Sequence, residues 1–274
     1  TGHGVYELLE RLGVRWLWPG ELGEDVERRT TIRFEDFEYR YHPQLRQRML
    51  RIISHESNFS ELKAPPDAPG LRALMRRKDG ETRDWYRRQH GLHGSLTMSA
   101  GHAFGRWWND YSQEHPEYFA LHPDGSREPL PRPSRAKLCV SNPAVAERWL
   151  DNAERALRAN PARLMVSASP NDSAYSGKCW CDECRSWDHP DGPTVTLRWR
   201  SHTEESPALT DRYVRFWNIL ARGLRERLPG REVFVGGWAY GPYRTPPIGV
   251  RLEDNVAIGF VGNLPVDTLE PRER

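Results

Sequence analysis

Apolar and polar residues follow two different periods along the chain, and these predict helices and strands in turn. Residues 3–12, 142–159 and 206–228 carry apolar side chains at the spacing of one helix face. The apolar runs at 162–169 and 232–240 have the length and composition of buried strands. The pattern therefore predicts that helices and strands alternate over much of the chain.

Shorter segments complete this prediction. The further predicted strands are 14–19, 45–53, 94–104, 117–121, 136–140 and 255–262, with 30–40 as a strand or an extended linker. Helical segments are predicted at 71–90, after a proline-rich loop at 54–70. Asp124-Gly125 has the composition of a hairpin turn between two of the short strands.

Strands that alternate with helices indicate parallel βαβ units, which occur in doubly wound sheets and in (β/α) barrels. The loops after the predicted strands are long and carry polar, aromatic and cysteine residues, as in a barrel whose chemistry lies at the carboxyl ends of its strands. We therefore expect a (β/α)8 barrel, truncated at the C-terminal side. Residues 42–274 are the expected N-terminal part of this barrel, and residues 1–41 the C-terminal end of a small α/β domain.

Composition excludes some classes of protein. The 40 basic and 38 acidic residues leave a formal charge of +2, which does not indicate binding to nucleic acid. No apolar run approaches the ~18 residues of a membrane span, and these 274 residues contain no signal-peptide pattern. We expect the chain to be a piece of a longer protein, so its location stays open at this point. The 11 tryptophans are suited to stacking against sugars or to filling a core.

An amide and a carboxylate follow one predicted strand directly. Asn171 and Asp172 come after the strand 162–169, which in a barrel places them at the carboxyl rim. A carboxyl group beside apolar surface can keep its proton and act as a general acid, and a neighbouring amide can hold a substrate group. The same dipeptide after proline is also common in turns.

Other candidate substrate-binding residues lie in comparable positions. His102 and Trp107 follow the strand 94–104, and Trp238 and Tyr240 end the strand 232–240. Each is also compatible with a structural role at the rim or in the core. Asn142 is both a candidate for substrate binding and the predicted cap of the helix that begins at Pro143.

Three of the four cysteines are clustered in the sequence, and the fourth lies further away. Cys179, Cys181 and Cys184 have the spacing C-x-C-x2-C, and Cys139 lies forty residues earlier. Four thiolates can close a tetrahedral zinc site, and four thiols can form two disulfides in a secreted protein. In the expected barrel, Cys139 ends the strand beside 162–169, so we expect all four cysteines to meet on one rim. Both alternatives, and a reduced inert cluster, stay open from the spacing.

Several stretches carry a family resemblance. These are residues 4–24, 115–128, 137–145, 169–184 and 216–247, the fourth reading SPNDSAYSGKCWCDEC. Together they resemble the bacterial domain-of-unknown-function 4838 family, which is associated with glycoside hydrolase family 163. Studied members of that hydrolase family are endo-β-N-acetylglucosaminidases that act on complex N-glycans. The resemblance implies a small α/β domain before a (β/α) barrel, a glycan substrate, and a secreted or periplasmic location.

For such substrates, related barrel enzymes use the acetamide of the substrate as the nucleophile, with retention of configuration. We expect Asp172 as the general acid and Asn171 as the group that orients the acetamide, with no cofactor required for catalysis. Should a second carboxylate be needed, Glu56, Asp110, Asp182 and Glu183 are candidates. The alternatives are a non-catalytic carbohydrate-binding barrel and a metal-dependent hydrolase that uses the cysteine cluster.

Overall fold

The computed structural model describes residues 2–33, 36, 38–40, 42, 44, 69–89, 98, 100–172, 177–199 and 202–261. The chain divides into two units, Thr1–Thr97 and Met98–Arg274. The predicted strand 45–53 lies outside the described residues, as does most of the predicted loop 54–70. The predicted domain boundary near residue 42 borders these residues and stays a prediction.

The first unit contains two helices and a small two-stranded sheet. In chain order these elements are helix α1 (Gly2–Arg11), strands β1 (Arg15–Trp16) and β2 (Glu24–Asp25), and helix α2 (Pro69–Gln89). The strands are antiparallel. The buried ring of Trp16 packs edge-on against the ring of Tyr6, with a centroid distance of 5.2 Å. The indole N–H of Trp85 donates to the carbonyl oxygen of Trp16 at 2.6 Å. The predicted helices of this unit are confirmed, whereas the predicted strand 14–19 is reduced to two residues.

The second unit contains a parallel sheet, an antiparallel hairpin and four α-helices among its described residues. The helices are α3 (Trp107–Tyr111), α4 (Pro143–Ala159), α5 (Asp182–Ser186) and α6 (Thr210–Arg227). The strands are β3 (Met165–Ser167), β4 (Thr194–Trp199), β5 (His202–Pro207), β6 (Phe234–Ala239) and β7 (Val256–Phe260). No helix in the described parts of the chain has the length and apolar character needed to cross a membrane.

The parallel sheet has the strand order β3-β6-β7. A parallel bridge between His102 and Ser169 places the segment that ends at His102 on the other side of β3. Neighbours in this sheet therefore follow one another along the chain, which is the order found in a barrel and differs from the reversal at the centre of a doubly wound sheet. The described strands do not form a closed barrel, so the (β/α)8 barrel stays a prediction.

Two helices pack on one face of this sheet and on each other. Helix α4 contacts β3 and α6, and α6 contacts β6 and β7. The indole N–H groups of Trp149 and Trp217 donate to the carbonyl oxygens of Ser167 and Ala168, at 3.1 and 3.0 Å. A Cβ at Gly237 would lie 2.8 Å from the Trp217 ring, which explains a glycine in this strand. These contacts fix the carboxyl end of β3, from which Asn171 and Asp172 continue.

A hairpin-like loop connects the first parallel segment to helix α4. Phe119 and Leu138 form an antiparallel bridge, and the turn between them contains Gly125 at a φ of 84°. The predicted pairing of 117–121 with 136–140 around Asp124-Gly125 is confirmed at this bridge. This loop carries Arg135 and Lys137 toward the end of β3, as described below.

The hairpin formed by β4 and β5 was not predicted. The alternation of buried Val195 and Leu197 with exposed threonines is the expected signal of a half-buried strand. Residues 206 and 207 belong to β5, so the prediction of a helix from residue 206 was wrong by four residues at its start. The remainder of that helix is confirmed as α6.

Asn142 caps helix α4, as the sequence predicts. Its side-chain oxygen accepts the Ala144 N–H at 3.0 Å, and its amide nitrogen donates to the Glu117 carbonyl at 3.2 Å.

We expect Asn142→Ala to lower the free energy of unfolding by about 1 kcal/mol, because the Ala144 N–H loses its acceptor. Asn142→Asp keeps an acceptor and should lose less. Urea unfolding of both variants tests this, and equal stability of Asn142→Ala and the wild type would contradict the capping role.

Candidate active site and cysteine cluster

Side chains from adjacent strand ends meet at the carboxyl edge of the parallel sheet. His102 lies at the end of the first segment, Asp172 follows β3, and Trp238 and Tyr240 lie at the end of β6. Arg135 reaches the same place from the hairpin-like loop. We call these five residues the Asp172 cluster. The carboxyl edge of parallel strands is the usual location of binding sites in α/β proteins.

The carboxylate of Asp172 is the centre of this cluster. The hydroxyl of Tyr240 donates to Asp172 Oδ1 at 3.0 Å, and His102 Nε2 lies 3.7 Å from the same oxygen. The guanidinium of Arg135 pairs with Oδ2. The side chain of Asp172 is nevertheless 37% exposed, so it can reach a ligand while it is held by three partners.

These contacts bear on the predicted role of Asp172 as a general acid. A hydroxyl donor and a guanidinium both favour an ionised carboxylate. The hydrogen bond is stronger to the charged form, and the positive charge of the guanidinium attracts it. This geometry is suited to a carboxylate that accepts hydrogen bonds, and the general-acid role of Asp172 stays a prediction.

The ring of His102 is oriented by its contact with Pro170. His102 Nδ1 lies 2.6 Å from the Pro170 carbonyl oxygen, which can only accept, so Nδ1 carries a hydrogen. Nε2 therefore faces Asp172. The His102 ring packs edge-on against Trp238 with a centroid distance of 4.8 Å. Three of the predicted substrate-binding residues, His102, Trp238 and Tyr240, are thus brought together with Asp172.

Sequence reasoning missed two cationic residues beside this site. Arg135 ends a short 3-10 turn (Pro133–Arg135), and Lys137 is buried two residues later. The Lys137 ammonium donates to the carbonyl oxygen of Asn171. Burial lowers the pKa of Lys137 to about 7, although the negative charge of Asp172 acts to raise it. A lysine inside the apolar stretch AKLCV was the available signal for Lys137; no comparable signal marks Arg135.

Asn171 has a structural role in this geometry. It is 1% exposed, its side-chain oxygen accepts the Phe104 N–H at 3.1 Å, and its amide nitrogen donates to the Ala136 carbonyl at 2.8 Å. The side chain therefore joins β3 to its two neighbouring segments. The prediction that Asn171 orients a substrate group has no support here, because the amide is buried and engaged with the backbone.

We expect Asn171→Ala to lower the free energy of unfolding by about 2–5 kcal/mol, because it leaves two buried backbone groups unpaired. Asn152→Ala is the matched control, since the Asn152 amide makes a single bond, of 3.2 Å, to the hydroxyl of Tyr111 and is only partly buried. The control should lose less than about 1 kcal/mol. Chemical denaturation compares the two, and equal losses would contradict the bridging role of Asn171.

The other predicted substrate-binding residues, Trp107 and Asn142, do not belong to the Asp172 cluster. Trp107 is 7% exposed and packs against Phe104, Tyr111 and Tyr118, so it fills the core and does not form a sugar-stacking surface. The amide of Asn142 is engaged as a helix cap, which leaves its predicted contact with substrate without support.

The candidates for a second carboxylate are engaged locally or are not described. Asp110 lies 3.6 Å from Arg106, Asp182 pairs with Arg185 at 2.5 Å, and Glu183 accepts the Trp187 indole N–H at 3.0 Å. Glu56 lies outside the described residues.

The four cysteines form a single cluster of free thiols. Their sulfur atoms all lie within 4.8 Å of one another, and Cys139, Cys179 and Cys184 are buried. Cys139 Sγ is 3.6 Å from Cys181 Sγ and 3.9 Å from Cys184 Sγ, and Cys179 Sγ is 3.5 Å from Cys181 Sγ. The predicted meeting of Cys139 with the C-x-C-x2-C segment is confirmed.

Crowding of the thiols changes their ionisation. Hydrogen bonds from Cys139 and Cys184 lower the pKa of Cys179 well below its usual value. The contact with Cys179 raises the pKa of Cys139 to about 11, and the contacts with Cys139 and Cys179 raise the pKa of Cys184 above its usual value. A thiolate at Cys179 therefore disfavours ionisation of its neighbours Cys139 and Cys184.

Comparison with known proteins identifies a family. Residues 28–273 match the model of a family described as a domain of unknown function, DUF4838. The chain belongs to the DUF4838 family. No curated protein and no solved structure matches the chain. Membership confirms the family resemblance of the sequence, while the association with glycoside hydrolase family 163 stays a prediction.

Proposed function

We propose that this DUF4838 chain forms the sugar-binding face of a glycoside hydrolase that acts on glycans containing N-acetylglucosamine. The observation that carries the proposal is the Asp172 cluster. A partly exposed carboxylate lies at the carboxyl edge of a parallel sheet, and side chains from the neighbouring strand ends hold it in place.

The surroundings of Asp172 are suited to a sugar ring. Trp238 and Tyr240 are half-buried and offer aromatic surface next to the carboxylate. Sugars combine an apolar ring face with hydroxyl and acetamide groups, so an aromatic surface beside a hydrogen-bond acceptor complements both. The Arg135 guanidinium keeps the carboxylate charged and oriented while the sugar binds.

The proposed mechanism is retention assisted by the acetamide of the substrate. The acetamide oxygen attacks the anomeric carbon, the glycosidic bond breaks, and an acid protonates the departing oxygen. Water then attacks the anomeric carbon of this cyclised intermediate and breaks its bond to the acetamide oxygen, so that two displacements retain the configuration and the acetamide is restored. Asp172, as an ionised acceptor, is suited to hold the acetamide N–H and to offset the positive charge that develops on the acetamide. This assignment replaces the predicted general-acid role, and the proton donor is a separate group.

A second candidate function is a carbohydrate-binding domain without catalysis, which the same aromatic surface would serve. A metal-dependent hydrolase whose metal is bound by the cysteines is a less favoured hypothesis. Four thiolates would fill all four positions of a tetrahedral zinc site, whereas catalytic zinc keeps one position open for water or substrate.

Incubation of the full-length protein that contains this chain with aryl β-N-acetylglucosaminides and with N-glycopeptides tests the proposal. The expected result is release of the aryl alcohol or of the glycan, detected by absorbance and by mass spectrometry. Binding without release would favour the carbohydrate-binding domain. The absence of both binding and release would contradict both functions.

A further inference from the structure

We infer that Cys139, Cys179, Cys181 and Cys184 bind one structural zinc ion. This inference does not depend on the proposed hydrolase activity. It rests on the spacing of the four sulfur atoms, on the donors and cations around them, and on the segments that they connect.

The spacing of the sulfur atoms fits one metal ion. Zinc bound by four thiolates at about 2.3 Å in a tetrahedron holds the sulfur atoms about 3.8 Å apart. Three of the cysteine pairs have sulfur–sulfur distances of 3.5, 3.6 and 3.9 Å. An iron–sulfur cluster holds its cysteine sulfurs further apart, because several iron and sulfide atoms lie between them. The spacing therefore favours a mononuclear site.

The arrangement also favours a metal over two disulfides. Cys139 lies at similar distances from two other sulfurs, and Cys181 contacts both Cys139 and Cys179. Two disulfides would single out one partner for each sulfur, whereas a tetrahedral metal site needs all four sulfurs to be near one another. Every sulfur here is within 4.8 Å of the other three.

Backbone and hydroxyl donors surround the sulfur atoms. The Leu121 N–H donates to Cys179 Sγ at 3.3 Å, and the Cys184 N–H donates to Cys181 Sγ at 3.4 Å. The Ser141 hydroxyl lies 3.0 Å from Cys184 Sγ. Such bonds stabilise and orient metal-bound thiolates.

Cations near the site offset its charge. Four thiolates and Zn²⁺ carry two net negative charges, which a buried location would otherwise oppose. The Arg212 side chain is 2% exposed, and its guanidinium donates to the Cys179 carbonyl oxygen at 2.8 Å. Lys178 adjoins Cys179 in the sequence. Asp188 orients Arg212 through two bonds of 2.8 and 2.5 Å, and its carboxylate cancels part of the charge that Arg212 brings to the site.

The proposed ion connects two separate segments of the second unit. Cys139 belongs to the hairpin-like loop, and the other three ligands lie in the segment that follows β3. Arg135 precedes Cys139 by four residues and pairs with Asp172. Zinc would therefore hold the loop that supplies Arg135 against the segment that follows Asp172, and so act as a positioning element for the site.

The test is the metal content of the full-length protein, purified under reducing conditions from zinc-containing medium. Inductively coupled plasma mass spectrometry should find one zinc fewer per chain in Cys181→Ser than in the wild type. Ser141→Ala is the matched control, because it removes a neighbouring hydroxyl without removing a ligand, and it should keep the wild-type zinc content. Equal zinc in Cys181→Ser and wild type, or iron in place of zinc, would overturn the inference.

A second measurement avoids variants that fail to fold. Cobalt exchanged into the wild-type protein should give the absorption of tetrahedral cobalt with thiolate ligands, including sulfur-to-metal charge-transfer bands. Alkylation followed by peptide mapping should find the four cysteines protected until a chelator is added. A disulfide-linked peptide that contains Cys139, or four cysteines that react at once without chelator, would overturn the inference.

Discussion

Replacing Asp172 by Asn is expected to lower kcat/KM on N-acetylglucosaminides by about 10²–10³-fold in the full-length protein. Asn keeps the size of the side chain but loses the negative charge that offsets the developing charge on the acetamide. The thermal midpoint should change little, because a partly exposed ion pair with Arg135 contributes only about 0–1 kcal/mol. Steady-state kinetics and differential scanning fluorimetry together measure both effects.

Two further variants control for indirect effects. Tyr240→Phe removes the hydroxyl that donates to Asp172 and keeps the ring, so we expect a smaller loss, about tenfold. Asp151→Asn alters a carboxylate on α4 that pairs with Arg227 at 2.7 Å, and its rate should equal that of the wild type. An unchanged rate for Asp172→Asn, or an equal loss in Asp151→Asn, would show that the carboxylate has no specific role.

Loss of the proposed zinc should produce a large change in stability. Cys184→Ser removes one of four ligands, and structural zinc sites contribute about 10–16 kcal/mol in small zinc domains. The second unit also has its own hydrophobic core, so we expect a smaller loss, of more than about 3 kcal/mol, and a thermal midpoint lower by about 10 °C. Scanning fluorimetry measures the midpoint.

A chelator distinguishes loss of metal from loss of packing. A strong zinc chelator should lower the midpoint of the wild type and of Ser141→Ala toward that of Cys184→Ser. It should leave the midpoint of Cys184→Ser unchanged. A wild-type midpoint that does not respond to the chelator would mean that the thiols stabilise the fold without a metal ion.

The cysteine cluster and the Asp172 cluster belong to one connected arrangement. Lys137, which donates to the Asn171 carbonyl, lies between Arg135 and Cys139 on the same loop. The loop is thus fixed at one end by the cysteine cluster, and in the middle by contacts to the residues that follow β3. A change at the cysteines should therefore reach the carboxylate through Arg135.

The strand that delivers Asp172 could be predicted from the sequence, but the roles of Asn171 and Asp172 could not. Successive side chains at the end of a strand point to opposite sides, so one of two adjacent polar residues is buried and the other exposed. The dipeptide alone does not tell which is which. The sheet register resolves this, since it directs the Asn171 amide toward Phe104 and Ala136.

The partners from the hairpin-like loop were harder to foresee. The turn at Asp124-Gly125 and the pairing of its flanking segments were predictable from local composition. The second segment crosses the end of β3 and so brings Arg135 to Asp172 and Cys139 to the other cysteines. This crossing depends on packing between distant segments. The tryptophans illustrate the same limit: residue type did not separate Trp238 beside the site from Trp107 in the core.

The most direct test of the central claim is the affinity for an N-acetylglucosamine-derived thiazoline, a stable mimic of the cyclised acetamide intermediate. Isothermal titration calorimetry on the full-length protein should show binding at least about 100-fold tighter to the wild type than to Asp172→Asn, since intermediate mimics exploit the interactions that stabilise the transition state. Equal affinity for both proteins, or no binding to the wild type, would contradict the account of Asp172 as the carboxylate that holds the acetamide.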